Sequence, residues 1–143
     1  MAGFSSYLEQ KILNDILRTG GDVYVSLHTE DPTADGSKGE VSGNGYARAK
    51  VTFAAPEAVY EDQGEPPVQV LVGHKCVNNA DTTFPDPTGA WAGGAPITHM
   101  GLWDASTPNN YLFTVPDTNV TPKSYGINDV CVVRAGSISV KLD

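Results

Sequence analysis

Pro96-Ile-Thr-His-Met-Gly-Leu-Trp-Asp-Ala-Ser-Thr-Pro-Asn-Asn-Tyr-Leu-Phe-Thr-Val115 is the stretch on which the reading of the fold turns. Ile97–Asp104 and Tyr111–Val115 are both rich in large apolar and aromatic residues, and the run between them consists of turn formers. That order predicts a β-hairpin with a loop of medium length. Trp103 and Tyr111–Phe113 supply the largest side-chain area available for burial in the second half of the chain.

Other short segments of the same kind surround it. Val23–His28 alternates, with Val23, Val25 and Leu27 on one face and His28 on the polar one. Ala47, Ala49, Val51 and Phe53 form a second alternating set, with Arg48, Lys50 and Thr52 on its basic outer side. Val68, Val70 and Val72 share a face; Val130–Arg134 and Ser137–Leu142 flank an Ala135-Gly136 turn as a closing hairpin. Two long polar segments, 29–45 and 54–67, carry the Gly, Pro and acidic residues expected of surface loops.

One helix is expected, over residues 4–19. Ser6 and Glu9 stand at capping-box spacing. Tyr7, Leu8, Ile12, Leu13, Ile16 and Leu17 recur at helical spacing, and Gly20-Gly21 stops the run. The predicted fold is therefore all-β, a β-sandwich or jelly-roll-like domain over 22–143 preceded by one amphipathic helix. At 143 residues the chain is expected to form a single domain.

Composition narrows the function. The chain carries 15 Gly and 10 Pro, which favours many turns and short strands, and a formal charge of -8, which repels phosphates and argues against nucleic-acid binding. No apolar run approaches the ~20 residues that span a bilayer, so no membrane partner is expected, and no secretory signal is visible at the start. Cys76 and Cys131 read as buried thiols rather than a disulfide.

The chemistry-bearing residues form no familiar constellation. His28 is assigned to a strand, His74 to a loop and His99 to the central hairpin, where Asp104 falls on the opposite face. His74-Lys-Cys76 lacks the second ligand pair of a zinc site. Neither a Gly-x-Ser-x-Gly elbow nor a phosphate loop is present, Gly43-Asn-Gly45 reading as a tight turn. Asp31, Asp35 and Glu40, with Gly36 as a sharp bend, suggest a calcium loop, but the dense oxygen ladder and flanking helices of an EF-hand are missing, and a solvated loop is the favoured reading. Asn119-Val-Thr121 is formally a glycosylation sequon. No catalytic residue, metal or cofactor is expected. Trp91, Trp103 and Tyr111 could make a sugar-stacking platform if exposed, which keeps a carbohydrate-binding module as a reading from another class.

Several segments, taken in order, resemble a family of small virion proteins of tailed bacteriophages, described as tail-fibre or minor structural proteins. They are Tyr7-Leu-Glu-Gln-Lys-Ile-Leu13, Val23-Tyr-Val-Ser-Leu-His-Thr-Glu-Asp-Pro-Thr33, Gly43-Asn-Gly-Tyr-Ala-Arg48 with Val51-Thr-Phe53, Thr98-His-Met-Gly-Leu-Trp-Asp-Ala105, and the Ala135-Gly136 turn. Tyr60–Cys76 stands out as extra sequence beside that pattern. The resemblance implies a non-enzymatic virion protein made in the host cytoplasm. Capsid decoration or cementing is the leading expectation, and a place in the tail or its fibre the alternative. Its partners would be the major capsid protein or other virion subunits, with the chain itself a homodimer or homotrimer. The contact residues expected are Phe4, Tyr7, Leu8 and Lys11 on the helix, Asp31 and Asp35 in the first loop, Tyr60 in the second, and Trp91.

Overall fold

The computed structural model describes residues 3–105, 109–116 and 120–143. Within them strand predominates over helix. The central sheet runs β2-β1-β6-β7, with β1 at Val23–His28, β2 at Ala49–Val51, β6 at His99–Asp104 and β7 at Tyr111–Val115. The hairpin expected at Pro96–Val115 is its β6–β7 half, antiparallel from Met100↔Val115 to Trp103↔Tyr111 with a bulge between Leu102 and Trp103. Residues 106–108 of its loop lie outside the described residues.

The second sheet runs β3-β4-β9, with β3 at Glu57–Gln63, β4 at Val68–Val77 and β9 at Ser139–Leu142. A two-stranded piece, β5 (Thr82–Thr83) with β8 (Val132–Val133), accompanies them. The result is an all-β, sandwich-like domain with antiparallel pairing throughout its ladders. Val23, Val25 and Leu27 of β1, Met100 and Leu102 of β6, Cys76 of β4 and Val140 of β9 share one core with Phe53, Phe84, Trp91 and Ile138. Period-2 alternation sends these side chains inward.

The helix α1 spans Ser6–Asn14 and continues as a wider π-helical turn over Asp15–Thr19. Its N-cap is Ser5, whose hydroxyl accepts from the Leu8 amide at 3.2 Å, not Ser6. Glu9 cannot close a capping box because its side chain is buried against β4. The apolar residues of the helix divide accordingly. Leu13 and Leu17 enter the core below Glu9, one per turn, while Phe4, Tyr7, Leu8 and Ile16 remain exposed.

Three expectations about loops need correction. Segment 54–67 is not an irregular excursion: half of it is β3, which pairs with β4 from Glu57↔Lys75 to Gln63↔Val68 as a ribbon. Acidic residues and flanking prolines lower the intrinsic strand preference there, and the pairing partner overrides it. His74 and Cys76, inside the stretch read as extra sequence, are buried residues of β4. His74 is thus a strand residue, not a loop residue.

Segment 29–45 is no free surface loop either. It straps across the outer face of β1 and β6, which the sequence alone leaves half open. Gly36 lies there at φ +70°, so close to the aromatic pair that a Cβ would stand 2.5 Å from Tyr111 Cδ1 and 2.7 Å from Trp103 Cζ2. Beneath the strap Ser26 and His28 are fully buried, so His28 does not face solvent.

Candidate functional site

The polar groups under the strap come nearest to a reactive arrangement. Strand alternation puts Ser26 and His28 on one face, and β6 brings Trp103 beside them. The Trp103 Nε1–H donates to Ser26 Oγ at 2.8 Å, Ser26 Oγ lies 2.7 Å from His28 Nε2, and His28 Nδ1 lies 2.6 Å from the Lys38 carbonyl. A carbonyl can only accept, so Nδ1 carries the proton, Nε2 accepts, and the serine hydroxyl donates. The chain of donors runs from indole to backbone with every group satisfied. Burial holds the His28 imidazole below its usual 6.5, despite the Lys38 carbonyl and Glu40, which pull the other way. No substrate can reach Ser26 without lifting the strap; the serine and histidine pin the strap to the sheet.

The strap's far end is held by charge. Arg48 Nε and Nη2 donate to the two oxygens of Glu40 at 2.8 and 2.7 Å, and its guanidinium lies 3.7 Å from the centroid of the Trp103 ring. Tyr46 donates to Glu40 at 2.9 Å and accepts from the Leu27 amide at 3.0 Å. Burial alone would raise the Glu40 carboxyl, but the bonds from Arg48 and Tyr46 outweigh it and hold the carboxyl below 4.5. The basic outer face read on β2 is thereby neutralised, since Lys50 also pairs with Asp22 at 3.1 Å.

Asp31 and Asp35 shape the strap. Asp31 accepts from the Thr33 amide at 2.8 Å, and Asp35 from the Ser37 amide at 3.0 Å and the Thr33 hydroxyl at 2.9 Å. These bonds, those from Ser37 first, bring the Asp35 carboxyl down to about 2. The carboxylates of Asp31, Asp35 and Glu40 do not converge, and no cluster of three or more metal-ligating side chains occurs among the described residues.

Trp91 is a correction. It is 0% exposed, so it can neither contact another subunit nor stack on a sugar. Its Nε1–H donates to the Asn44 carbonyl at 3.0 Å, and Tyr46, Phe84 and Tyr125 surround it with ring centroids 5.6, 6.4 and 5.8 Å away. Trp103 is buried as well, edge-on to Tyr111 at 4.9 Å. Cys76 and Cys131 are both free buried thiols; burial pushes Cys76 up to about 11, which keeps it unreactive.

The exposed apolar groups gather elsewhere. Tyr60 of β3 is 55% exposed and Val68 of β4 62%, with Val70 and Leu71 also open to solvent. Tyr60 stands opposite Leu71 across the ladder, and Glu61 opposite Val70. Phe4, leading into α1, lines with Val70, Leu71 and Val72 a groove of about 710 Å³ between helix and ribbon. Tyr7 is 73% exposed, Leu8 is exposed on the same helix, and Lys11 pairs with Asp15 at 2.8 Å. Of the contact residues expected from the sequence, Phe4 and Tyr60 therefore stand on or beside the ribbon, Tyr7, Leu8 and Lys11 on the open helix surface, and Asp31 and Asp35 on the strap. Val68, Val70 and Leu71 are exposed as well, which the alternation of the valines alone does not reveal. The signal was the acidic strand opposite them, Glu57-Ala-Val-Tyr-Glu-Asp-Gln63, which offers too few apolar residues to cover them.

Comparison with known protein families puts the chain among structural proteins of tailed-phage virions. More narrowly, residues 3–141 match the family model described as podophage GP4 fiber I protein gp80, and the chain belongs to that family. Comparisons with curated proteins and with solved structures returned no match.

Proposed function

We propose that this protein is a non-enzymatic structural subunit of a podophage fibre, fixed to other virion subunits through the β3–β4 ribbon and the adjoining end of α1. The observation that carries this reading is the ribbon's exposed apolar surface, Tyr60, Val68, Val70 and Leu71, on a chain of a fibre family. Tyr60 and Leu71 share one face of the ribbon, Val68 and Val70 the other. A solvated ribbon gains nothing from such side chains, and apolar groups left open on both faces mark a contact element. Burial of the Ser26–His28 pair supports the absence of catalysis. The family's description favours the fibre over the capsid decoration that leads the sequence reading.

Immunogold labelling of intact particles with antibody raised against the whole chain tests the address. Gold along the fibres is the expected outcome. Gold distributed over the head would overturn it and return capsid decoration to first place.

A further inference from the structure

We infer that the outer edge of β3 receives an extended segment of a different protein, one that carries lysine or arginine beside apolar side chains. The inference rests on the reading of this chain as a subunit held in the virion by protein contacts. β3 is the outermost strand of its sheet, so one row of its main-chain N–H and C=O groups has no ladder partner. Such an edge is a template for an added strand, whose main chain supplies affinity and whose side chains supply specificity.

The side chains along the ribbon define that specificity. Tyr60 and Leu71 are open on one face of the ribbon, Val68 and Val70 on the other, so apolar side chains flank both faces of a strand added at the edge. Beside them lie Glu61, Asp62 and Glu65, none of them in an ion pair among the described residues, while Glu57 has Lys75 at 3.6 Å. Acidic side chains interspersed with exposed apolar ones select a partner that carries the opposite charge beside apolar groups.

A second copy of this chain does not fit that demand. Of the nine Lys and Arg, Lys11, Arg48, Lys50, Lys75, Arg134 and Lys141 already hold ion pairs. Arg18 is bonded to Asn14 and Lys123 lies over the Tyr125 ring, which leaves Lys38 without a side-chain partner among the described residues. Antiparallel pairing of two β3 edges would bring two acidic ribbons together in a chain whose formal charge is -8. The complementary cations are better supplied by another protein.

Two measurements test this. In the first, a ten-residue peptide alternating lysine with valine, or its glutamate–valine counterpart, is added to the whole chain and amide exchange is followed by NMR. The lysine peptide should slow exchange of the outward amides of β3 at least tenfold, less so in high salt, and the glutamate peptide should not. β3 amides left unprotected, or protected in the free chain by self-association, would overturn the inference. In the second, particles of a phage lacking its own copy are assembled with plasmid-supplied variants, and copies per particle are counted by mass spectrometry. The double variant Glu61→Lys with Asp62→Lys, which should melt like the parent, is expected at a tenth of the parental level or less. Asp86→Lys, an equally exposed charge reversal away from the ribbon, should enter normally. Normal entry of the ribbon variant would defeat this inference alone; labelling on the head would defeat the fibre reading alone.

Discussion

Glu9 of α1 and His74 of β4, 65 residues apart in the chain, meet with Nδ1 and Oε2 2.6 Å apart, both side chains buried. The contact fixes the helix on the sheet at the point where its apolar stripe begins. Removing one partner strands the other without solvent. Glu9→Ala or His74→Ala should therefore cost about 3 to 5 kcal/mol, a fall in Tm on the order of 10 °C. The double variant should cost less than the sum of the two, as expected for residues in direct contact. Calorimetric melting of the four proteins checks both statements.

Gly36 carries the strap. Its φ of +70° lies in the left-handed region, and its missing side chain lets the backbone touch Trp103 and Tyr111. Gly36→Ala should destabilise by about 2 kcal/mol or more through strain and overlap. It should also shift Trp103 emission to the red as the strap lifts and water reaches the indole. Unchanged emission and stability would show that the strap gives way without cost.

Acid should loosen the same layer in two stages. His28, held below 6.5 by burial, takes up a proton more readily unfolded than folded. Its stabilisation is complete above pH 6.5 and is lost as pH falls toward the depressed folded value. Glu40 behaves likewise below 4.5, where the fork from Arg48 and the Tyr46 hydroxyl lose their carboxylate. Urea unfolding from pH 8 to pH 4 should show stability falling first below 6.5 and more steeply below 4.5. His28→Gln should lower stability at neutral pH and abolish the first decline. A flat profile between 6.5 and 4.5 would contradict this.

What the chain discloses in advance depends on the range of each interaction. The β6–β7 hairpin is legible because its alternation and turn residues are local signals, and the inward faces of β1 and β9 are legible for the same reason. The strap is not: Gly and Pro suppress any period, and its cover is made by bare backbone at Gly36 and by the Glu40–Arg48 fork. Glu9 reads as a cap because the capping rule looks three residues back, whereas its partner lies in another element. Trp91 reads as a contact residue because small residues follow it, yet three aromatic rings from other segments close over it. The ribbon is half legible: its valines share a face as their alternation implies, but its acidic strand reads as a loop because the partner that pairs it follows only after a turn.

The helix offers the sharpest separation of folding from contact. Leu13 and Leu17 are buried beside Glu9, while Tyr7, Leu8 and Ile16 stay open although the same periodicity selected them all. Leu13→Ala should cost about 2 to 5 kcal/mol by emptying a filled core position. Tyr7→Ala and Ile16→Ala should stay within about 0.5 kcal/mol, since alanine favours the helix and little packing is lost. Urea titration of the purified variants decides this. If the helix meets a neighbouring subunit, Tyr7→Ala and Leu8→Ala will lower the copies per particle without moving the unfolding midpoint. A midpoint that shifts with Tyr7→Ala would mean that the outer stripe serves the fold instead.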